Sequence, residues 1–217
     1  MATIGFDAKR AFQNETGLGN YSRTLINSLQ EHAPQHQYVL YTPKVPEPIL
    51  YKANIPVRTP KTLAGRKVGA FWRSRGIVPS LSLDGVDLYH GLSNELPFGL
   101  KKAGIRSVVT IHDLVFLKRP EDYKGLDRWI YERKLHHAIN TADRIVAISE
   151  QTRQDILEHT EASEDRVSVI YQSCDEGFRR PIASDIVFEV KKKYSLPQDF
   201  VLHVGGWNPR KNLERTI

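Results

Sequence analysis

Two hundred and seventeen residues, 40% hydrophobic and 26% charged, are enough chain for one substantial core and match soluble globular averages. Scattered glycines and prolines exclude a collagen-like or low-complexity chain, and no apolar run nears the roughly 18 residues of a membrane span. The net charge of +6 is local: Arg58, Lys61, Arg66, Lys67, Arg73 and Arg75 fall in one acid-free stretch, which excludes a uniformly basic nucleic-acid coat.

Met1–Asp7 runs straight into a strand pattern with no signal-peptide core, and the single cysteine, Cys174, suits a reducing compartment. The expected location is therefore cytoplasmic. Short β-branched runs predict strands over residues 3–7, 38–41, 87–90, 107–111, 144–148, 167–170 and 200–204. Between them, helical patterns cover residues 19–31, 64–75, 123–141, 150–160 and 186–194. Ser149 is placed to cap the helix that follows it. Strands apolar on both faces and alternating with helices read as α/β: a Rossmann-like open parallel sheet with helices on both faces. That domain is expected over residues 1–183. Residues 184–217 read as a linker plus the first strand and helix stub of a second, incomplete domain, since a lone strand and helix cannot bury their apolar faces.

Four segments carry candidate chemistry. Gly17, Gly19, Asn20 and Tyr21 open the first long helix, where backbone amides and the helix dipole favour an anion. The spacing fails as a dinucleotide fingerprint, because Ser22 stands where a third glycine is needed. His90 and the pair His112-Asp113 each end an apolar strand, the edge at which parallel sheets bind ligands. Gly205 and Gly206 follow the last strand and precede Arg210 and Lys211, an arrangement suited to a diphosphate. No Asp-x-Asp, phosphate-binding P-loop or Gly-x-Ser-x-Gly elbow occurs, and Cys174 has no metal-ligand spacing around it. Glu150 and Glu158, eight apart on a helix, read as ordinary surface charge.

In this order the segments resemble the N-terminal half of a family 4, group 1, retaining glycosyltransferase of the two-domain GT-B fold. The resemblance rests on Gly17-x-Gly19 with Tyr21, Asp87-Leu88-Tyr89-His90, Leu96-Pro97 and Val109 through Leu114. It continues in Ala142 through Ser149, and in Val204-Gly205 with Pro209-Arg210-Lys211-Asn212-Leu213. It implies sugar transfer from a nucleotide-sugar donor to a glycan or lipid-linked glycan, with retention, without a metal and without a cofactor. By the same resemblance His112, with Asp113, lies at the donor sugar, and the Gly17–Gly19 loop, with His90, shapes the acceptor or phosphate side. Gly205, Gly206, Arg210 and Lys211 hold the diphosphate. The family's C-terminal half is missing, so the fragment alone is expected to be inactive. Alternatives are a non-catalytic or partner-completed GT-B-like module and a sugar-nucleotide epimerase of similar architecture. The basic stretch from Arg58 to Arg75 suits the anionic inner face of a membrane, where lipid-linked acceptors of a polysaccharide pathway would be met. No nucleic-acid partner is expected.

Overall fold

A computed structural model describes residues 1–60, 69–206 and 212–215. The chain divides into two compact units, Met1–Asp175 and Glu176–Ile217. In the first, seven strands form one all-parallel sheet: β1 (Thr3–Asp7), β2 (Gln37–Tyr41), β3 (Val57–Arg58), β4 (Leu88–Gly91), β5 (Arg106–Ile111), β6 (Arg144–Ala147) and β7 (Val167–Val169). Their order across the sheet is β3-β2-β1-β4-β5-β6-β7. Successive crossovers run one way from β1 to β3 and the other way from β4 to β7. The direction therefore reverses between β1 and β4, and a crevice opens outside the carboxyl ends of these two strands.

Alternation along β2 shows why helices cover both faces. Tyr38 and Leu40 join one buried cluster with Phe6, Phe12 and Ile26, roofed by α1 (Lys9–Gln13) and α2 (Gly17–His32). Val39 and Tyr41 point the other way, into a larger cluster with Tyr89, Val109, Ile111, Leu135, Ile139 and Ile156. That face is covered by α3 (Gly69–Phe71, running into the π-helical turn Trp72–Gly76), α4 (Val78–Leu83), α5 (Val115–Lys118), α6 (Gly125–Thr141) and α7 (Glu150–His159). Ser149 Oγ accepts the Thr152 amide at 3.1 Å, the cap expected from sequence.

Three differences from expectation have local causes. The two-residue strand β3 is too short to carry a periodic signal, and it pairs only at Leu40–Val57 and Tyr41–Arg58. Arg73, expected with the basic stretch to face an anionic membrane surface, is instead 8% exposed. It sits within the π-helical turn, where the residue repeat departs from that of the α-helix. In the second unit, α8 (Ser184–Lys193) forms as expected, but Phe200–Val204 joins no sheet among the described residues. A strand is held by backbone bonds to a neighbouring strand, and this segment pairs with none there.

Candidate active site at the carboxyl edge of the sheet

Asp7, His90 and Ile111 are near or at the ends of β1, β4 and β5, so the residues just beyond them define the crevice. Gly91 turns the chain off β4. A side chain there would bring its Cβ to 2.1 Å from the Glu95 carbonyl oxygen, so only glycine lets the Leu92–Pro97 loop fold back over the strand end. In that loop Asn94, at φ 56°, ties three points together. Its amide donates to the Thr110 carbonyl at 2.9 Å, its side-chain oxygen accepts the His112 amide at 3.0 Å, and its side-chain nitrogen donates to the Asp113 carbonyl at 3.2 Å.

His112 is thereby fixed at both ring nitrogens. The Leu92 carbonyl can only accept, so Nε2, 2.9 Å away, carries the proton. Nδ1 then accepts from the side-chain amide of Gln172, also at 2.9 Å. Burial pushes the His112 pKa down; the Leu92 carbonyl and Asp113 oppose this, and Arg10 adds to it. The ring is a neutral, oriented dipole. The edge of Tyr21 meets it with centroids 4.8 Å apart, and Thr152 donates to its backbone carbonyl at 3.2 Å.

His112 and Asp113 line a cavity of about 220 Å³ with Arg10, Leu18, Asn94, Glu95 and Lys134, among others. Arg10 makes no ion pair among the described residues, whereas Lys134 is bridged to Glu95 at 3.1 Å. Asp113 is exposed; its carboxylate accepts the Val115 amide at 3.4 Å and so starts α5. Lys9 stands nearby in electrostatic terms. Burial lowers its pKa first, with Arg73 and Arg10 adding to the shift. Among the charged groups that line the cavity, Arg10, Lys134, Glu95 and Asp113, Arg10 is the cation left open to an anionic ligand.

The glycine loop is built for close approach at one position. A Cβ at Gly19 would lie 1.8 Å from the Asn14 carbonyl oxygen, whereas one at Gly17 would meet nothing within 4 Å. Asn14 Oδ1 accepts the Thr16 and Gly19 amides, each at 3.0 Å, and so caps the start of α2. Asn20 is occupied with Arg23 Nη2 at 2.6 Å. Thr110 Oγ1 stands between the Tyr21 hydroxyl and His90 Nε2, 2.9 Å from each. His90 is sealed below the cavity, and burial holds its pKa down to about 4.

Of the residues singled out from sequence, Gly19, Tyr21, His90, His112 and Asp113 converge on this edge; Gly17 opens the adjoining helix. Gly205 and Gly206 belong to the second unit, and Arg210 and Lys211 lie outside the described residues. Lys61, Arg66 and Lys67 of the basic stretch also lie outside them. Of the rest, Arg58 pairs with Asp84 at 3.1 Å, Arg75 lies over the Phe98 ring, and Arg73 is buried against Asp7 and Glu95. Arg73 is therefore no part of a membrane-facing surface. Arg10, Asn94, Glu95, Lys134 and Gln172 were not anticipated. They come from four separate segments, and none stands in a spacing that marks it. Among the described residues no three His, Cys, Asp or Glu side chains gather as a metal site, and no helix is long and apolar enough to cross a membrane.

A model of Glycosyltransferase Family 4 matches residues 16–177, three-quarters of the chain and nearly all of the first unit. The chain belongs to glycosyltransferase family 4. Among curated Escherichia coli proteins it is 36% identical over 115 residues to the serotype-specific mannosyltransferase WbdA, covering 52% of this chain and 14% of that one. It is 31% identical over 128 residues to the O-antigen chain mannosyltransferase B, covering 58% and 32%. The chain thus spans a third or less of these relatives. In fold it matches a crystal structure of Anabaena Alr3699/HepE in complex with UDP and glucose, with a TM-score of 0.62 at 15% identity, over 99% of this chain and 56% of that one. The wall teichoic acid polymerase TagF matches at a TM-score of 0.53 and 14% identity, over 91% and 46%. These likenesses establish the architecture: an N-terminal half of GT-B type.

Proposed function

We propose that this family 4 chain is the acceptor-side half of a retaining, metal-independent hexosyltransferase acting from a nucleotide-sugar donor on a glycan or lipid-linked glycan. The observation that carries the reading is the neutral His112 imidazole, pinned at the carboxyl edge of β5 in a cleft that Arg10 also lines. Breaking a glycosyl–phosphate bond develops positive charge on the sugar and negative charge on the departing diphosphate. An imidazolium would oppose the first; a buried neutral ring does not. Leu92 keeps the proton on Nε2, so Nδ1 is the nitrogen able to exchange partners. A donor-sugar hydroxyl replacing the Gln172 amide would donate to it without any change of tautomer.

Arg10 stands ready for the anionic part of a substrate. In the sequence Arg210 and Lys211, after Gly205-Gly206, supply the cations for the leaving diphosphate, which makes a metal unnecessary. The mannosyltransferase names of the curated relatives favour mannose as the transferred hexose. The Anabaena neighbour crystallised with UDP and glucose favours a nucleoside diphosphate as the leaving group.

Transfer from a panel of sugar nucleotides to mannosides tests this, using the chain alone and the chain joined to a family 4 C-terminal domain. The joined protein should transfer a hexose with the donor's anomeric configuration, at a rate unchanged by EDTA, and the chain alone should not. Epimerised sugar nucleotide without transfer, or a rate abolished by EDTA and restored by a divalent ion, would overturn it.

A further inference from the structure

A second cavity of about 280 Å³ lies beside the first, between the Leu96–Phe98 segment and α6. Its size is near the lower bound of small-molecule sites, about 300 Å³, and suits a single ring better than a nucleotide. Glu95 and Lys134 line both cavities, so their ion pair is the partition between them.

The floor is polar and fully engaged. Arg73 donates through Nη2 and Nε to Asp7, and Nη2 also lies 3.3 Å from Glu95 Oε2. Burial alone would lower the Arg73 pKa; Asp7 and Glu95 outweigh it and hold the guanidinium charged. The wall is aromatic. Phe98 is stacked on His137 at 3.7 Å and overlaid by Arg75 at 5.0 Å, and is 44% exposed. Trp129 carries Arg133, at 4.8 Å, as its one ring partner among the described residues, and is 53% exposed. A half-exposed indole at the rim of a cavity with a charged floor is costly against water, and it offers an apolar face to a ligand that also needs hydrogen bonds.

We propose that this cavity is a second saccharide subsite: it holds the next sugar of an oligosaccharide acceptor whose terminal sugar reaches the His112 cleft. The inference rests on the transferase reading and adds the acceptor class, a glycan of at least two residues. A pyranose matches both parts of the cavity, its C–H face against Trp129 and its hydroxyls over Glu95, Arg73 and Arg133. A lipid tail would satisfy the indole and strip water from the part-exposed Glu95 carboxylate with nothing in return. Continuity through the Glu95–Lys134 partition sets the direction of the chain.

The experiment is a ligand-observed NMR titration of the 217-residue protein with methyl α-mannoside and with α-linked mannotriose, repeated for Trp129→Ala and Trp129→Phe. The triose should bind at least tenfold more tightly than the mannoside. Trp129→Ala should erase that gain and leave the mannoside unchanged, while Trp129→Phe should retain part of it. Equal affinity for the two sugars, no binding of either, or triose binding indifferent to Trp129→Ala would each overturn the subsite. So would Trp129-dependent binding to phosphatidylglycerol vesicles with saccharide binding intact, which would assign the indole to a lipid surface. Thermal melting of Trp129→Ala checks that the fold survives. Loss of the length preference with hexose transfer intact strikes the subsite alone; absence of transfer strikes the function on which it rests.

Discussion

At the end of β4 a histidine is sealed beneath the cleft; one strand over, just past the end of β5, another lines it. His90 packs against Phe6 with ring centroids 5.9 Å apart, and its Nε2 meets Thr110. His112 is almost equally buried, yet two loops from opposite sides of the strand reach both of its nitrogens, Leu92 after β4 and Gln172 after β7. Both rings are neutral by burial. Burial does not separate the sealed histidine from the one that lines the cleft. What separates them is whether a nitrogen can change partners without unfolding a strand end: Gln172 can leave Nδ1, whereas Thr110 is fixed within β5.

The largest effect should come from removing the site ring. In the chain joined to a family 4 C-terminal domain, His112→Ala should lower kcat by about 10²–10³-fold, the range for loss of an oriented polar group at a developing charge. His90→Gln should change kcat by less than about threefold once the protein is folded. Steady-state kinetics on the two variants decide it, and an equal loss in both would erase the distinction.

Acid stability gives the converse. His90 stays neutral in the folded protein down to about pH 4 but takes a proton near pH 6.5 when unfolded. Between those values the unfolded state binds more protons, so stability falls as pH drops through this window. The contribution present at pH 7 is about 3 kcal/mol and should be gone near pH 4. His112 acts in the same direction. Urea midpoints from pH 7 to pH 4 should fall less steeply for His90→Gln than for wild type, and parallel slopes would show that His90 titrates normally.

The sheet was legible because parallel strands buried on both faces leave uninterrupted apolar runs, and Val108-Val109 or Ile145-Val146 can be read as little else. His112 was legible because it ends such a run. Arg73 was not: a helix periodicity placed it with solvated cations, and the π-helical turn carried it into a buried pairing with Asp7. Asn94 and Glu95 lie in a loop whose return over the strand depends on Gly91. Arg10, Lys134 and Gln172 reach the cleft from α1, from α6 and from the segment after β7. Such a gathering is a product of topology, and no local spacing encodes it. The sequence suggests a phosphate approach at Gly19, whereas the backbone it accommodates is the Asn14 carbonyl of its own loop.

The smallest effect is the most diagnostic of the histidine comparison. Gln172 touches His112 and is not itself a reacting group, so it is a positioning residue whose amide favours the neutral ring by donating to Nδ1. Gln172→Ala removes that donor and leaves Nδ1 open to water and to protons. Turnover near neutral pH should fall by less than about tenfold, a loss of orientation worth about 1 kcal/mol. The His112 pKa, held low in the native protein, should rise toward its ordinary value because the neutral form has lost a hydrogen bond. The acid limb of the kcat/KM profile, which reports the free enzyme in which Gln172 still holds Nδ1, should therefore move to higher pH, and Gln172→Asn, whose shorter amide reaches less far, should fall between the two. A merely structural Gln172 would lower activity at every pH by the same factor and leave the limb where it was. His90→Gln, measured in parallel, should leave the limb unmoved, since nothing that binds the cleft depends on the protonation of His90.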